Sequence, residues 1–139
     1  MSCYAVIDTN VLVSALLSSR EDAATVQVVA RMIAGEIIPV YSSAIMAEYR
    51  EVLARRKFGF SPENIAYLLS EMSQFGLKVE PSPSGAALPD MKDLPFYEVV
   101  LEKRSDGAYL VTGNLKHFPE EPFIVTAREM LAILDGKVQ

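Results

Sequence analysis

The strongest constraint in this chain is a short run of apolar, β-prone residues that stops on an aspartate. Tyr4-Ala5-Val6-Ile7 shows no polar alternation. Such a run reads as a strand buried on both faces, hence a central strand of a parallel sheet. Asp8 ends it, and Thr9 and Asn10, both good N-cap residues, follow. Val11, Leu12, Ala15 and Leu16 then recur at helical spacing over about Val11 to Ser18. Asp8 therefore falls at the carboxyl end of a central strand, just before a helix. In open parallel α/β sheets ligands bind at that edge. Taken alone, an aspartate there is as well explained as a turn or capping residue.

The rest of the chain repeats the strand–helix alternation. A helix from about Ala23 to Ala34 is expected to bury Val26, Val29, Ala30 and Ile33, with Gly35 as its C-terminal cap. Ile37 to Tyr41 is a second apolar strand, and Pro39 within it points to an end or edge position. Ser42 or Ser43 caps a third helix, about Ala44 to Lys57, whose apolar positions are Ile45, Tyr49, Val52 and Leu53. Phe58-Gly59-Phe60 is a turn. Ser61 and Pro62 start a fourth helix that carries Ile65, Leu68, Leu69 and Met72 to about Phe75, where Gly76 breaks it. Leu77 to Glu80 is a short strand, and residues 81–85 form a Pro- and Ser-rich loop too short to separate domains. A fifth helix spans about Pro95 to Arg104. Ala108 to Thr112 is another fully apolar strand, ending at Gly113-Asn114, and Phe123 to Val125 is the last. Thr126 and Glu129 have capping-box spacing before a final helix to about Leu134. The pattern predicts one domain over residues 1–139: a three-layer α/β/α sandwich with a central parallel sheet.

On that frame four polar residues gather near one edge. Asp8, Asp93 and Asn114 lie at strand ends or a helix start. Glu48 follows Ile45 by three and precedes Val52 by four, which places it on the inward face of its helix; Glu51 falls outside. A carboxylate among apolar neighbours needs a partner. For Glu48 the ordinary alternatives are a rim residue that snorkels to water or a pair with a nearby arginine. For Asp93 the alternative is an N-cap on the fifth helix. Three acids and an amide at one edge repel strongly without a cation, and oxygen ligands suit Mg2+ or Mn2+ rather than zinc. The chain has no Cys-His set for zinc, no glycine-rich phosphate loop and no Gly-x-Ser-x-Gly elbow.

Charge and composition narrow the classes further. A formal net charge of -5 argues against a broad phosphate-contact footprint. Arg50, Arg55, Arg56 and Lys57 form a local basic cluster, which reads equally as an ordinary solvated face. A carboxylate site with no aromatic stacking platform indicates a phosphodiester without saying which. The single cysteine, Cys3, is expected to be a small buried apolar residue, and one cysteine closes no internal disulfide. With no signal-peptide pattern and no apolar run of bilayer length, a soluble cytoplasmic protein without membrane partners is the expectation.

The segments Val6-Ile7-Asp8-Thr9-Asn10-Val11-Leu12, Glu48-Tyr49-Arg50-Glu51-Val52-Leu53, Asp90-Met91-Lys92-Asp93 and Leu110-Val111-Thr112-Gly113-Asn114 together resemble the PIN domain family. They look most like the toxin components of toxin-antitoxin pairs, the VapC-like proteins. The resemblance covers essentially the whole chain and keeps the order and approximate spacing of all four motifs. It implies a metal-dependent ribonuclease in which Asp8, Glu48 and Asp93 hold Mg2+ or Mn2+, leaving 5′-phosphate and 3′-hydroxyl ends. Asn114 falls where the family often has a fourth aspartate, keeping an oxygen ligand but losing a charge. Asn10, Asp90, Thr112 and His117 are supporting candidates, Asp90 also as an alternative third acid. The family's further acid near Lys116-His117-Phe118 is missing. The implied partners are an RNA substrate and an antitoxin protein, with a homo-oligomer left open. Two other readings stand beside this one: a catalytically decayed interaction module on the same fold, and a Mg2+-dependent phosphatase or small-molecule hydrolase on a different α/β fold. The second lacks the acid two residues after Asp8, where Asn10 stands.

Overall fold

The computed structural model describes residues 2–136; Met1 and residues 137–139, part of the expected single domain, lie outside the described residues. Five strands form one parallel sheet: β1 (Cys3–Ile7), β2 (Ile37–Tyr41), β3 (Leu77–Lys78), β4 (Tyr109–Val111) and β5 (Ile124–Val125). Their order is β3-β2-β1-β4-β5, so the unalternating run at Tyr4–Ile7 is indeed the central strand. Ala5 and Val6 are fully buried. The chain winds outward from β1 in both directions, which makes the gap between the carboxyl ends of β1 and β4 the topological switch point.

Among the described residues six α-helices surround the sheet in a three-layer α/β/α arrangement: α1 (Thr9–Leu17), α2 (Ala24–Ile33), α3 (Ser43–Leu53), α4 (Pro62–Phe75), α5 (Leu94–Glu102) and α6 (Ala127–Leu134). α5 packs on β1, β2 and β4, α3 bridges α5 and α4, and α2 packs on β2 between α1 and α6. Ser42 rather than Ser43 caps α3, its side chain accepting from the Ile45 N–H. Ser61 caps α4 with Pro62 in its first turn, and the Thr126–Glu129 capping box on α6 is formed in full.

Four local expectations fail. α2 buries Val28 and Met32, whereas Ala30 is exposed and Ile33 is 40% exposed. The helix is shared among α1, α6 and β2, so its burial follows three neighbours rather than one apolar stripe. Pro39 lies in β2, an interior strand, not at an edge. It is tolerated because β2 pairs with β3 only from Val40 onward. Finally, α3 ends at Leu53; Arg55, Arg56 and Lys57 belong to the turn that follows. Cys3 is half-buried at the start of β1 rather than enclosed.

Gly76 is fixed by close approach. A Cβ there would strike the carbonyl oxygens of Met72 and Pro39, so the chain passes from α4 into β3 only with no side chain at this point.

Candidate active site

The site is assembled from four chain segments meeting at the switch point. Register brings the first two together: Ile7 pairs with Val111, and the Asp8 N–H continues the ladder by donating to Val111 O at 2.9 Å. This sets Thr112 beside Asp8, and Thr112 Oγ1 donates to Asp8 Oδ2 at 2.8 Å. Asn10 Nδ2 donates to the same oxygen at 3.3 Å, while Asn10 Oδ1 accepts from the Gly113 N–H at 3.1 Å. The Asn114 N–H donates to Thr112 Oγ1 at 3.0 Å. Asn10 and Thr112 thus tie the ends of β1 and β4 together around one carboxylate.

Asp8 occupies the cap position of α1, yet its side chain makes no capping bond. Thr9 and Asn10 lie inside the helix and turn their side chains to the site instead of capping it. Only 4% of Asp8 is exposed. Burial, chiefly, pushes its carboxyl up to about 6; the Thr112 hydrogen bond opposes the shift, and the neighbouring Asp93 and Glu48 reinforce it.

Glu48 reaches the same place from α3, and Thr9 Oγ1 donates to its Oε2 at 2.5 Å. No arginine partners it: Arg55 pairs instead with Glu51, at 2.8 Å. Burial raises the Glu48 carboxyl, Thr9 holds it down, and Asp93 raises it again. One residue further on, the fully buried Tyr49 donates its hydroxyl to Ile7 O at 2.5 Å, fastening α3 to the strand end next to Asp8.

Asp93 ends a 3-10 turn, Met91–Asp93, that leads into α5. Its expected capping bond is absent. His117 Nδ1 donates to Asp93 Oδ2 at 2.9 Å, and burial raises the Asp93 carboxyl against the lowering effect of His117. The capping in this segment belongs to Asp90, whose Oδ1 accepts from the Lys92 N–H at 3.0 Å. Asp90, Asp93 and His117 each offer one ligand atom, all within 4.8 Å of one another.

Asp8, Glu48, Asp90, Asp93, Asn114 and His117 all line one open cleft of about 320 Å³, with Arg55 and Lys92 also on its wall. Every candidate named from the sequence reaches this cleft or, in the case of Thr112, holds a residue that does. Two contributors escaped the sequence reading. Thr9 looked like a helix cap and Tyr49 like a core position. A buried tyrosine hydroxyl usually finds a partner, and that was the available signal.

A parallel sheet between helix layers, with carboxylates collected at its switch point, defines an α/β protein with an acid-lined cleft. The chain belongs to the PIN domain family, whose sequence profile matches residues 4–116. PIN domains are generally nucleases, so the chain carries a nuclease-type hydrolase fold. That membership removes the reading as a phosphatase on a different α/β fold. No curated protein and no solved structure matches the chain. No helix among the described residues is long and apolar enough to cross a membrane.

Proposed function

We propose that this protein is a metal-dependent endoribonuclease using the Asp8–Glu48–Asp93 cleft. The supporting observation is the uncompensated charge there. Among the described residues no lysine or arginine forms an ion pair with Asp8, Glu48 or Asp93. Asp8 and Glu48 are hydrogen-bonded by hydroxyls, an amide and, for Asp8, the Thr9 backbone, and all three carboxyls are raised. Acids merely stabilising a fold are normally paired. This donor set, oxygen-rich and without lysine or arginine partners, fits a hard divalent cation such as Mg2+ or Mn2+. A cation held by Asp8, Glu48 and Asp93 would supply a water of lowered pKa and positive charge for the phosphate.

The protein's own residues do the positioning. Thr112 and Asn10 fix Asp8, Thr9 fixes Glu48, and His117 fixes Asp93. Arg55 and Lys92 offer positive charge to the flanking phosphates. Asn114 adds a neutral oxygen at the rim. The test is incubation with single-stranded RNA in Mg2+ or Mn2+, with chelator and Asp93→Asn as controls. Cleavage leaving 5′-phosphate ends supports the reading. Wild type inert under both metals favours the decayed interaction module. A toxin role, held in check by an antitoxin, is a further proposal from the motif set. Growth arrest on induced expression, absent in Asp93→Asn, would support it.

A further inference from the structure

The end of α3 and the turn after it combine a run of cations with an aromatic pair. Four of the chain's 13 basic residues lie in Arg50–Lys57, in a protein of net charge -5. Arg55 lines the acid cleft and is tied to Glu51. Arg50, Arg56 and Lys57 are exposed, and among the described residues no ion pair engages them. Directly after them the rings of Phe58 and Phe60 stack, with centroids 5.4 Å apart and planes 11° from parallel. Lys57 Nζ lies 5.2 Å from the Phe58 centroid. Both rings are only half-buried. Phe60 and Arg50 line a second groove, about 540 Å³, together with Ala54, Ile65 and Leu69. Cleft and groove are thus bounded by the end of α3 and the turn after it, Glu51 and Arg55 on one side, Arg50 and Ala54 on the other.

We propose that the Arg50–Phe60 segment is a landing surface for a single-stranded polynucleotide, with Arg50, Arg56 and Lys57 taking phosphates and the Phe58–Phe60 pair taking a base. This rests on the nuclease reading for what happens in the adjoining cleft. A packing role explains the buried half of each ring but neither the exposed half nor the unpaired cations beside it. Cations alternating with an aromatic face are what single strands require, because their bases are free to stack; a duplex hides those faces. The acidity of the chain elsewhere would confine a polyanion to this stretch.

The test is fluorescence anisotropy in chelator, where hydrolysis is suppressed. The probes are a short labelled RNA strand, a DNA strand of the same sequence, and the RNA duplex. Wild type should bind both strands better than the duplex. Arg56→Gln with Lys57→Gln should weaken strand binding and reduce its salt slope by about 1.4, as two lost phosphate contacts require. Phe58→Leu and Phe60→Leu should each weaken strand binding about tenfold and leave duplex binding unchanged. Melting curves check folding, and the glutamine pair, on exposed side chains, decides the matter if a leucine variant is unstable. Variants that bind strands as wild type does, or ring variants that lose duplex binding equally, overturn the proposal. Hydrolysis of bis(p-nitrophenyl) phosphate by wild type in Mn2+ reports the cleft separately. Strand binding without that hydrolysis would defeat the nuclease reading and leave the landing surface standing.

Discussion

Replacing Asp8 by asparagine should make the metal-free protein more stable while ending its response to metal. The magnitude follows from the buried carboxyl. Its pKa is pushed from 3.8 to about 6, about two units, and each unit corresponds to 1.36 kcal/mol, so holding the charge there opposes folding by up to ~3 kcal/mol. Because the folded-state value lies above the unfolded one, the folded protein binds the proton more tightly. Stability therefore falls as pH rises from about 4 to about 6 and is level above that range. Asparagine keeps an oxygen to accept from Thr112 and carries no charge, so it removes the penalty and the part of the slope that Asp8 contributes. At this chain length ~3 kcal/mol is a rise in Tm of about 6–12 °C.

The assay is thermal unfolding of both proteins from pH 3.5 to 8, in chelator and in millimolar Mg2+. In chelator the two should coincide at the acid end and separate above pH 6, with the mutant higher. Mg2+ at about 100 times its Kd should lift the wild type by about 2.7 kcal/mol and the mutant far less. A mutant that melts lower than wild type at pH 7.5 in chelator would refute the reasoning. Asp8 would then be stabilised by its hydrogen bonds rather than strained by its burial.

Asp93→Asn should lower hydrolysis more than about 100-fold with little change in Tm, since Asp93 makes no capping bond that asparagine must replace; full activity at saturating Mg2+ would transfer the third acid's role to Asp90. Asn114→Asp should tighten Mn2+ binding several-fold by calorimetry, and an unchanged affinity would put residue 114 outside the metal's reach. Gly76→Ala should destabilise by about 3 kcal/mol in urea titrations, because the added Cβ meets two backbone carbonyls that cannot move aside.

What could be read from the sequence divides along a physical line. Features set by periodicity survived: β1 in the centre, Glu48 on the inner face of α3, Asp8 and Asn114 at strand ends. Each depends only on which way a side chain points within its own element. Features set by neighbours did not. α2 contains Val26, Val28, Val29 and Met32, apolar positions on more than one face, and only contact with α1, α6 and β2 selects among them. Pro39 is tolerated in an interior strand because β3 is short and pairs only from Val40 onward, which nothing near Pro39 reveals. The Asp93–His117 contact joins residues 24 apart, and without it Asp93 looks like a cap. Phe58 and Phe60 were legible as a turn but not as a stacked pair, since the approach of two rings within a turn is set by backbone torsions that residue types do not fix.

The distribution of cations around the cleft bears most directly on function. Arg55 stands on the cleft wall, close enough to lower the Glu48 carboxyl, but its ion pair is with the exposed Glu51. The fold therefore brings a guanidinium to the rim and still leaves the inner acids paired with hydroxyls, an amide and an imidazole. The hydroxyls and the amide orient a carboxylate without neutralising it, while His117 also holds the Asp93 carboxyl down. Orientation alone is of little use to stability, since the raised carboxyls show a net cost of burial. It is useful if a mobile charge must enter, be held in a fixed geometry and face a phosphate. Asn114 fits the same logic: a neutral oxygen extends the donor set without adding to the repulsion that Asp8, Glu48 and Asp93 already impose. Strain held at one edge of a sheet, and tolerated because the rest of the core is well packed, is how an active site differs energetically from a structural ion cluster.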